Sequence, residues 1–162
     1  MGATTCAPVN VEFINPFLVS TTNVFRTMAA CELTRGKPYL ADTVQPTHEI
    51  SGVIGLSGKA IGTVVLSLGE TVALKVTEAM LGEAPAGMNG DVVDAIGELT
   101  NMIAGAAKAQ MEHLEMSVSL PSVIMGRDHR VGFPGDIQPI AIPFESEWGP
   151  ICVEVGLREK VC

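Results

Sequence analysis

Apolar and polar positions recur along this chain with two different periods, and the switches between them mark its elements. From Asn15 to Cys31 the apolar residues Phe17, Val24, Met28 and Cys31 fall at spacings of seven, four and three, a helical period. Asn15 followed by Pro16 offers an N-cap and a proline at the first helical position, where a missing N–H costs nothing. Gly36-Lys37-Pro38 is the expected stop. From Tyr39 to Gly69 the pattern is strand-like. Glu49–Leu56 and Ala60–Leu68 are β-branched runs around Ser57-Gly58-Lys59, which predicts a hairpin. Glu70–Leu81 reads as a short helix ended by Gly82, and a turn-rich stretch from Gly82 to Gly90 leads into a long helical run, Asp91–Lys108. Strands are predicted again at Ser117–Met125, Ile137–Phe144 and Pro150–Leu157, joined by Pro134-Gly135-Asp136 and Glu145–Gly149.

Short links between consecutive strands demand antiparallel pairing. The chain therefore predicts an α+β (mixed α/β) domain, with helices packed on an antiparallel-rich sheet. A single domain is expected over residues 10–157, with loose ends at 1–9 and 158–162.

The Asp91–Lys108 run carries the most information. Val92, Ile96, Leu99 and Ile103 form one stripe at about 100° per residue and should face the core. Asp94, Glu98, Asn101, Gly105 and Lys108 fall near the opposite side and should face solvent. Asn89 or Asp91 can cap the start, and the acidic first turn suits the positive end of the helix dipole. Asparagine is a poor mid-helix residue, and Gly97 and Gly105 lie four residues before and after Asn101. Each glycine costs about 1 kcal/mol relative to alanine in a helix interior. The pattern predicts a carboxamide standing on bare backbone, with the Glu98 carboxylate one turn away. Thr100 and Lys108 read as ordinary surface positions. An E-x-x-N spacing is common by chance, so solvated polar residues beside helix-packing glycines remain the plain alternative.

Composition narrows the field. Of 162 residues, 47% are hydrophobic and 17% charged, which describes a well-filled globular protein. A net charge of -8 disfavours a nucleic-acid partner. No run of about 18 apolar residues predicts a membrane span, and the first residues show no secretory pattern. Cys6, Cys31, Cys152 and Cys162 are widely spaced and read as reduced thiols; His48, His113 and His129 show no metal-ligand spacing. No metal site is expected, and no phosphate-cradling glycine motif is present. Asp128-His129-Arg130 reads as a hairpin turn, and Trp148 beside Gly149-Pro150 as a turn anchor.

Asp94-x-x-x-Glu98-x-x-Asn101 resembles the phosphatase motif of the CheC/CheX/FliY family, (D/S)-x-x-x-E-x-x-N. The context is similar too: Asn10–Phe17 entering the first helix, the glycine-rich hairpin of Ser51–Leu68, and Met80-Leu81-Gly82 before the motif helix. The likeness spans about Asn10 to Leu157 and implies a CheC-like fold. Members with two active surfaces carry a second E-x-x-N in the first helix. Here Asn23 is preceded at three residues by Ser20, so one site is implied, the CheX-type arrangement. The resemblance implies a cytoplasmic phosphatase acting on the aspartyl phosphate of a CheY-like response regulator. Asn101 would orient the attacking water and Glu98 would dock against the regulator's lysine. Asp94, Gly97 and Gly105 would complete the contact surface. No cofactor of its own is implied, since Mg²⁺ comes with the phosphorylated regulator. A homodimer is implied as well, for which Ala141-Ile142 and Ile151-Cys152-Val153 offer edge pairing. The alternative is a non-catalytic module of this fold that binds a receiver domain or another signalling partner.

Overall fold

The computed structural model describes residues 11–41, 48–127, 129–133 and 137–160. Three helices, α1 (Ile14–Ala29), α2 (Glu70–Leu81) and α3 (Gly90–Ala109), cover one face of an antiparallel sheet. Its strands are β1 (Thr34–Arg35), β2 (Tyr39–Leu40), β3 (Ile50–Ser57), β4 (Ala60–Leu68), β5 (Ser117–Val118), β6 (Ser122–Met125), β7 (Ile140–Ser146) and β8 (Gly149–Glu159). They are ordered β1-β7-β8-β4-β3-β5, with β2 also on β7 and β6 also on β3. The α+β expectation holds.

The period-2 pattern explains the layering. Ile54, Val64, Val155 and Ile140 are cross-strand partners in succession, as are Leu66, Val153 and Ile142. All of them are buried, and all but Ile54 share one core cluster with Phe17, Phe25, Ile96, Leu99 and Ile103 of the helices. Three threonines inside this layer, Thr21, Thr77 and Thr100, each donate their hydroxyl to the carbonyl four residues back, at 2.7 Å. Such back-bonding lets a polar side chain be buried without an orphaned donor.

The opposite sheet face is covered as well. Gly156 lies under Phe133 and Ile137, so close that a Cβ there would stand 2.7 Å from each ring or methyl carbon. Ser51 and Ser67 are fully buried and share a 2.9 Å hydrogen bond. His129 closes the cluster: its Nε2 lies 2.7 Å from Ser51 Oγ and its Nδ1 2.6 Å from the Gly126 carbonyl. A carbonyl only accepts, so Nδ1 carries the proton in the neutral ring and Nε2 takes the Ser51 hydroxyl. His129 thus pins the segment after β6 to the sheet. This corrects the reading of residues 128–130 as a mere turn, although Asp128 lies outside the described residues.

Glu154, opposite Val65 and Ala141, is half-buried on this second face, and burial raises its carboxyl above the usual range. The ionised carboxylate therefore opposes folding. Stability from this position falls as pH rises from the ordinary carboxylate value through the raised one. Glu154→Gln removes that penalty. Urea midpoints at pH 4 and pH 8 should show the variant gaining on wild type at the higher pH, and a constant offset would contradict the burial effect.

Several boundaries differ from expectation. A 3-10 turn, Val11–Phe13, runs directly into α1, so Phe13 takes the N-cap position and no side chain caps the helix. Asn15 is already inside the first turn. Pro16 is tolerated there because the first four N–H groups have no intrahelical partner. The helix ends at Ala30, whose left-handed φ of 49° sends its N–H and that of Cys31 to the Phe25 carbonyl. Gly36-Lys37-Pro38 instead joins β1 to β2, with the Gly36 N–H on Pro143 O at 2.8 Å. Arg158 and Glu159 belong to β8, paired with Ile61 and Ala60, so the charged tail is partly strand.

The proposed dyad strands are interior. β8 lies between β7 and β4 over residues 151–155, and Ala141 has Tyr39 on one side and Glu154 on the other. Their backbone groups are already spent in the sheet, so neither segment offers a free edge. Trp148 lies in the β7–β8 turn, where its backbone N–H donates to Ser146 Oγ and Ser146 Oγ–H to Gly149 O, while its side chain packs partly buried against the core. Cys31 and Cys152 are free thiols, and burial, then Glu154, pushes Cys152 up to about 12. Cys6 and Cys162 lie outside the described residues, as does Pro134-Gly135-Asp136.

Candidate functional site

Helix α3 begins with Asn89, not Asp91, as its cap. The Asn89 side-chain oxygen accepts from the N–H groups of Asp91 and Val92 at 3.0 and 3.4 Å. Asp91 then lies in the first turn, where its charge complements the helix dipole. Val92, Ile96, Leu99 and Ile103 are fully buried. Asp94, Glu98, Asn101, Gly105 and Lys108 are exposed. The 3.6-residue period therefore sorts this helix as expected, and Asn101 stands in solvent.

Two neighbours were misjudged. Thr100 is fully buried; it lies directly over Gly52 of β3, so tightly that a Cβ on Gly52 would stand 2.9 Å from Thr100 Cβ. Gly97 is buried too, beneath Pro121 and Val123, which a Cβ there would meet at ordinary packing distance. The β5–β6 connection covers it at a distance where even a Cβ would make only ordinary contact, so Gly97 does not bare the backbone before Asn101. Gly105 does what the sequence implied: no atom lies within 4 Å of the place its Cβ would occupy. Asn101 therefore has open backbone on its C-terminal side only.

That open side continues into a depression of about 490 Å³. Asn101, Gly105 and Lys108 form its helical wall; Met111, Met116 and Val118 line it with apolar surface, and Glu112 and Glu115 add carboxylates. Glu115 also pairs with Lys59 at 3.1 Å. Lys108 is thus part of the site's border, which sequence reasoning missed. Nothing in the sequence signals this wall, because Val118 reaches it only through pairing with Leu56 of β3.

Asp94, Glu98 and Asn101 span eight residues, about 10 Å of helix. They offer an acidic approach and then a neutral carboxamide with both a donor and an acceptor. Asn101 makes no hydrogen bond or ion pair among the described residues. Its carboxamide is free to serve an incoming molecule. On α1, the position where a second motif would need glutamate holds Ser20, which is buried and accepts from Gln110 Nε2 at 3.1 Å. That position is committed to the α1–α3 contact. Among the described residues no group of three or more His, Cys, Asp or Glu side chains is placed to hold a metal, and no helix is long and apolar enough to cross a membrane.

Comparison with known proteins gives the family. The family described as Chemotaxis phosphatase CheX matches residues 50–145. The CheY-P phosphatase CheX of Thermotoga maritima is 32% identical over 146 residues, 86% of this chain and 92% of that protein. Among solved structures, a CheC-like superfamily protein from Shewanella superimposes with a TM-score of 0.85 at 38% identity, covering 92% of this chain and 99% of that one. A chemotaxis protein CheX from Vibrio vulnificus gives 0.85 at 35%, covering 91% and 99%. With the motif helix, the sheet and the sequence in agreement over most of its length, this chain belongs to the CheX family of chemotaxis phosphatases.

Proposed function

We propose that this protein hydrolyses the aspartyl phosphate of a CheY-like response regulator, with Asn101 orienting the attacking water. An aspartyl phosphate is a reactive acyl phosphate, so the task is positioning and not covalent activation. The Asn101 oxygen accepts a hydrogen bond from water and its N–H₂ donates toward phosphoryl oxygen, which fixes the direction of attack. A water oxygen–phosphorus bond forms as the phosphorus–carboxylate oxygen bond breaks, giving inorganic phosphate and the free aspartate. Mg²⁺ and its acidic ligands belong to the regulator; this chain adds one side chain.

Glu98, exposed one turn before Asn101, pairs with the regulator's lysine and sets the approach. Asp94 supports the positive end of α3 by charge–dipole attraction. Gly105 leaves room for the partner's backbone. We read the protein as working in the cytoplasm, as a homodimer, where such regulators are found.

The observation that carries this reading is the exposed Glu98/Asn101 pair on one helical stripe, with the carboxamide unengaged. The test is phosphate release timed from a panel of phosphorylated receiver domains in Mg²⁺. Acceleration of at least one supports the reading; binding without acceleration would make the protein a recognition module instead. Glu98→Ala should raise KM on the order of tenfold, about 1.4 kcal/mol of binding, with its unfolding midpoint unchanged. An unaltered KM would remove Glu98 from the docking role.

A further inference from the structure

The predicted strand Ser117–Met125 is broken in the structure, and the break lies beside the site. Val118 pairs with Leu56, and Ser122 pairs with Val53. Between them Ser119 grips Gly55 twice, donating its N–H to Gly55 O at 2.9 Å and accepting the Gly55 N–H on Oγ at 2.8 Å. Two residues, Leu120 and Pro121, are then left opposite the single residue Ile54. That is a β-bulge, a device that re-aims a side chain out of the strand. Pro121 turns inward onto Gly97 of α3. Leu120 turns outward and is 89% exposed, the most exposed of the large apolar residues among those described.

Its conformation is held. The Ser119 hydroxyl donates to the Leu120 carbonyl at 3.0 Å, and the proline that follows has a fixed φ. Val118 lines the depression at Asn101, and Pro121 covers Gly97, one turn before Asn101. Leu120, between these two, stands on the flank of the Asp94–Glu98–Asn101 stripe. A single exposed leucine on a mobile loop needs no explanation. One held out by a bulge beside the reactive carboxamide is a preformed contact.

We propose that Leu120 is an apolar anchor for the receiver domain of the phosphorylated regulator, seating on uncharged surface next to the phosphorylated aspartate while Asn101 enters the site. This rests on the phosphatase reading and adds a specificity-determining residue to it. The division of labour is chemical. Glu98 supplies charge attraction, which salt screens; Leu120 supplies burial of apolar surface, which salt leaves in place. Both precede the chemical step.

The test is steady-state phosphate release from a receiver domain that the wild type dephosphorylates. Leu120→Asp is expected to raise KM roughly ten- to a hundredfold, the range set by losing one leucine's burial, with kcat at saturation within about twofold. Leu120→Met should restore most of the affinity, since methionine fills similar apolar space. An unchanged KM in Leu120→Asp overturns the anchor, as does a change confined to the mass of the free protein in light scattering, which would make Leu120 a contact between copies of this chain. If wild type accelerates release from no receiver domain, the phosphatase reading fails and the anchor falls with it. If wild type is active and only the Leu120→Asp KM fails to move, the anchor alone is wrong.

Discussion

Asn101→Ala should lower stimulated phosphate release by roughly a hundredfold or more, the usual loss when a preorganised polar group at the reacting centre is removed. The fold should not suffer. The carboxamide is exposed and makes no hydrogen bond among the described residues, so nothing is left unpaired by its removal. Alanine is also the better helix former, by roughly 0.5 kcal/mol at a mid-helix site. A lost rate with an equal or slightly higher unfolding midpoint therefore separates chemistry from stability. Asn101→Asp sharpens the reading. It keeps shape and an acceptor but loses the N–H₂ donor and adds negative charge near a phosphoryl group, so it should be no better than alanine. Wild-type rates in Asn101→Ala would end the assignment.

Gly52→Ala should destabilise the protein by about 1–3 kcal/mol, as overpacked cores generally do. The position looks harmless in sequence, one glycine in a strand of β-branched residues. In the fold it is where α3 touches the sheet: Thr100 Oγ1 and Cβ occupy the space a methyl group would need. Thr100 cannot swing away, since its hydroxyl is held by the Ile96 carbonyl at 2.7 Å and its surroundings are fully buried. The helix must lift, and Thr100 is the residue before Asn101. Loss of stability should therefore come with a lower kcat, because the carboxamide moves with its backbone. Equilibrium urea unfolding measures the first effect and phosphate release the second. Adding Thr100→Ala should recover part of the stability by coupling between touching sites. An unaltered midpoint in Gly52→Ala would show that the helix–sheet contact is looser than described.

The comparison of Thr100 with Asn101 shows how far periodicity reaches. Adjacent residues on a helix differ by about 100°, so both flank the boundary between faces. The pattern places Leu99 inside and Glu98 outside without ambiguity, and the structure agrees. It assigns Thr100 and Gly97 outward, yet both are buried, because the covered arc of α3 is wider than its apolar stripe. The extra cover comes from β3 and from Pro121 and Val123, and the pairing of β6 with β3 joins residues about seventy positions apart. No local window contains that contact. Pro121, inside the predicted strand Ser117–Met125, lacks the N–H a ladder requires, a local cue that the strand prediction passed over. What the break exposes, Leu120, depends on the partner strand.

By itself the sequence determined the elements whose driving pattern is local. The bounds of α2 and β4, the hairpin between β3 and β4, and the inward stripe of α3 all follow from short-range spacing and turn residues. It also set the spacing that brings Asp94, Glu98 and Asn101 to one side of α3, because rise and rotation per residue decide which positions of a helix align. Tertiary structure decided which glycines bare a surface and which receive a neighbour, that residues 151–153 lie within the sheet, that His129 clasps Ser51, and where the depression beside Asn101 opens. Each of these depends on long-range strand pairing, whose register is set by burial of the whole sheet and not by the residues at the point of contact.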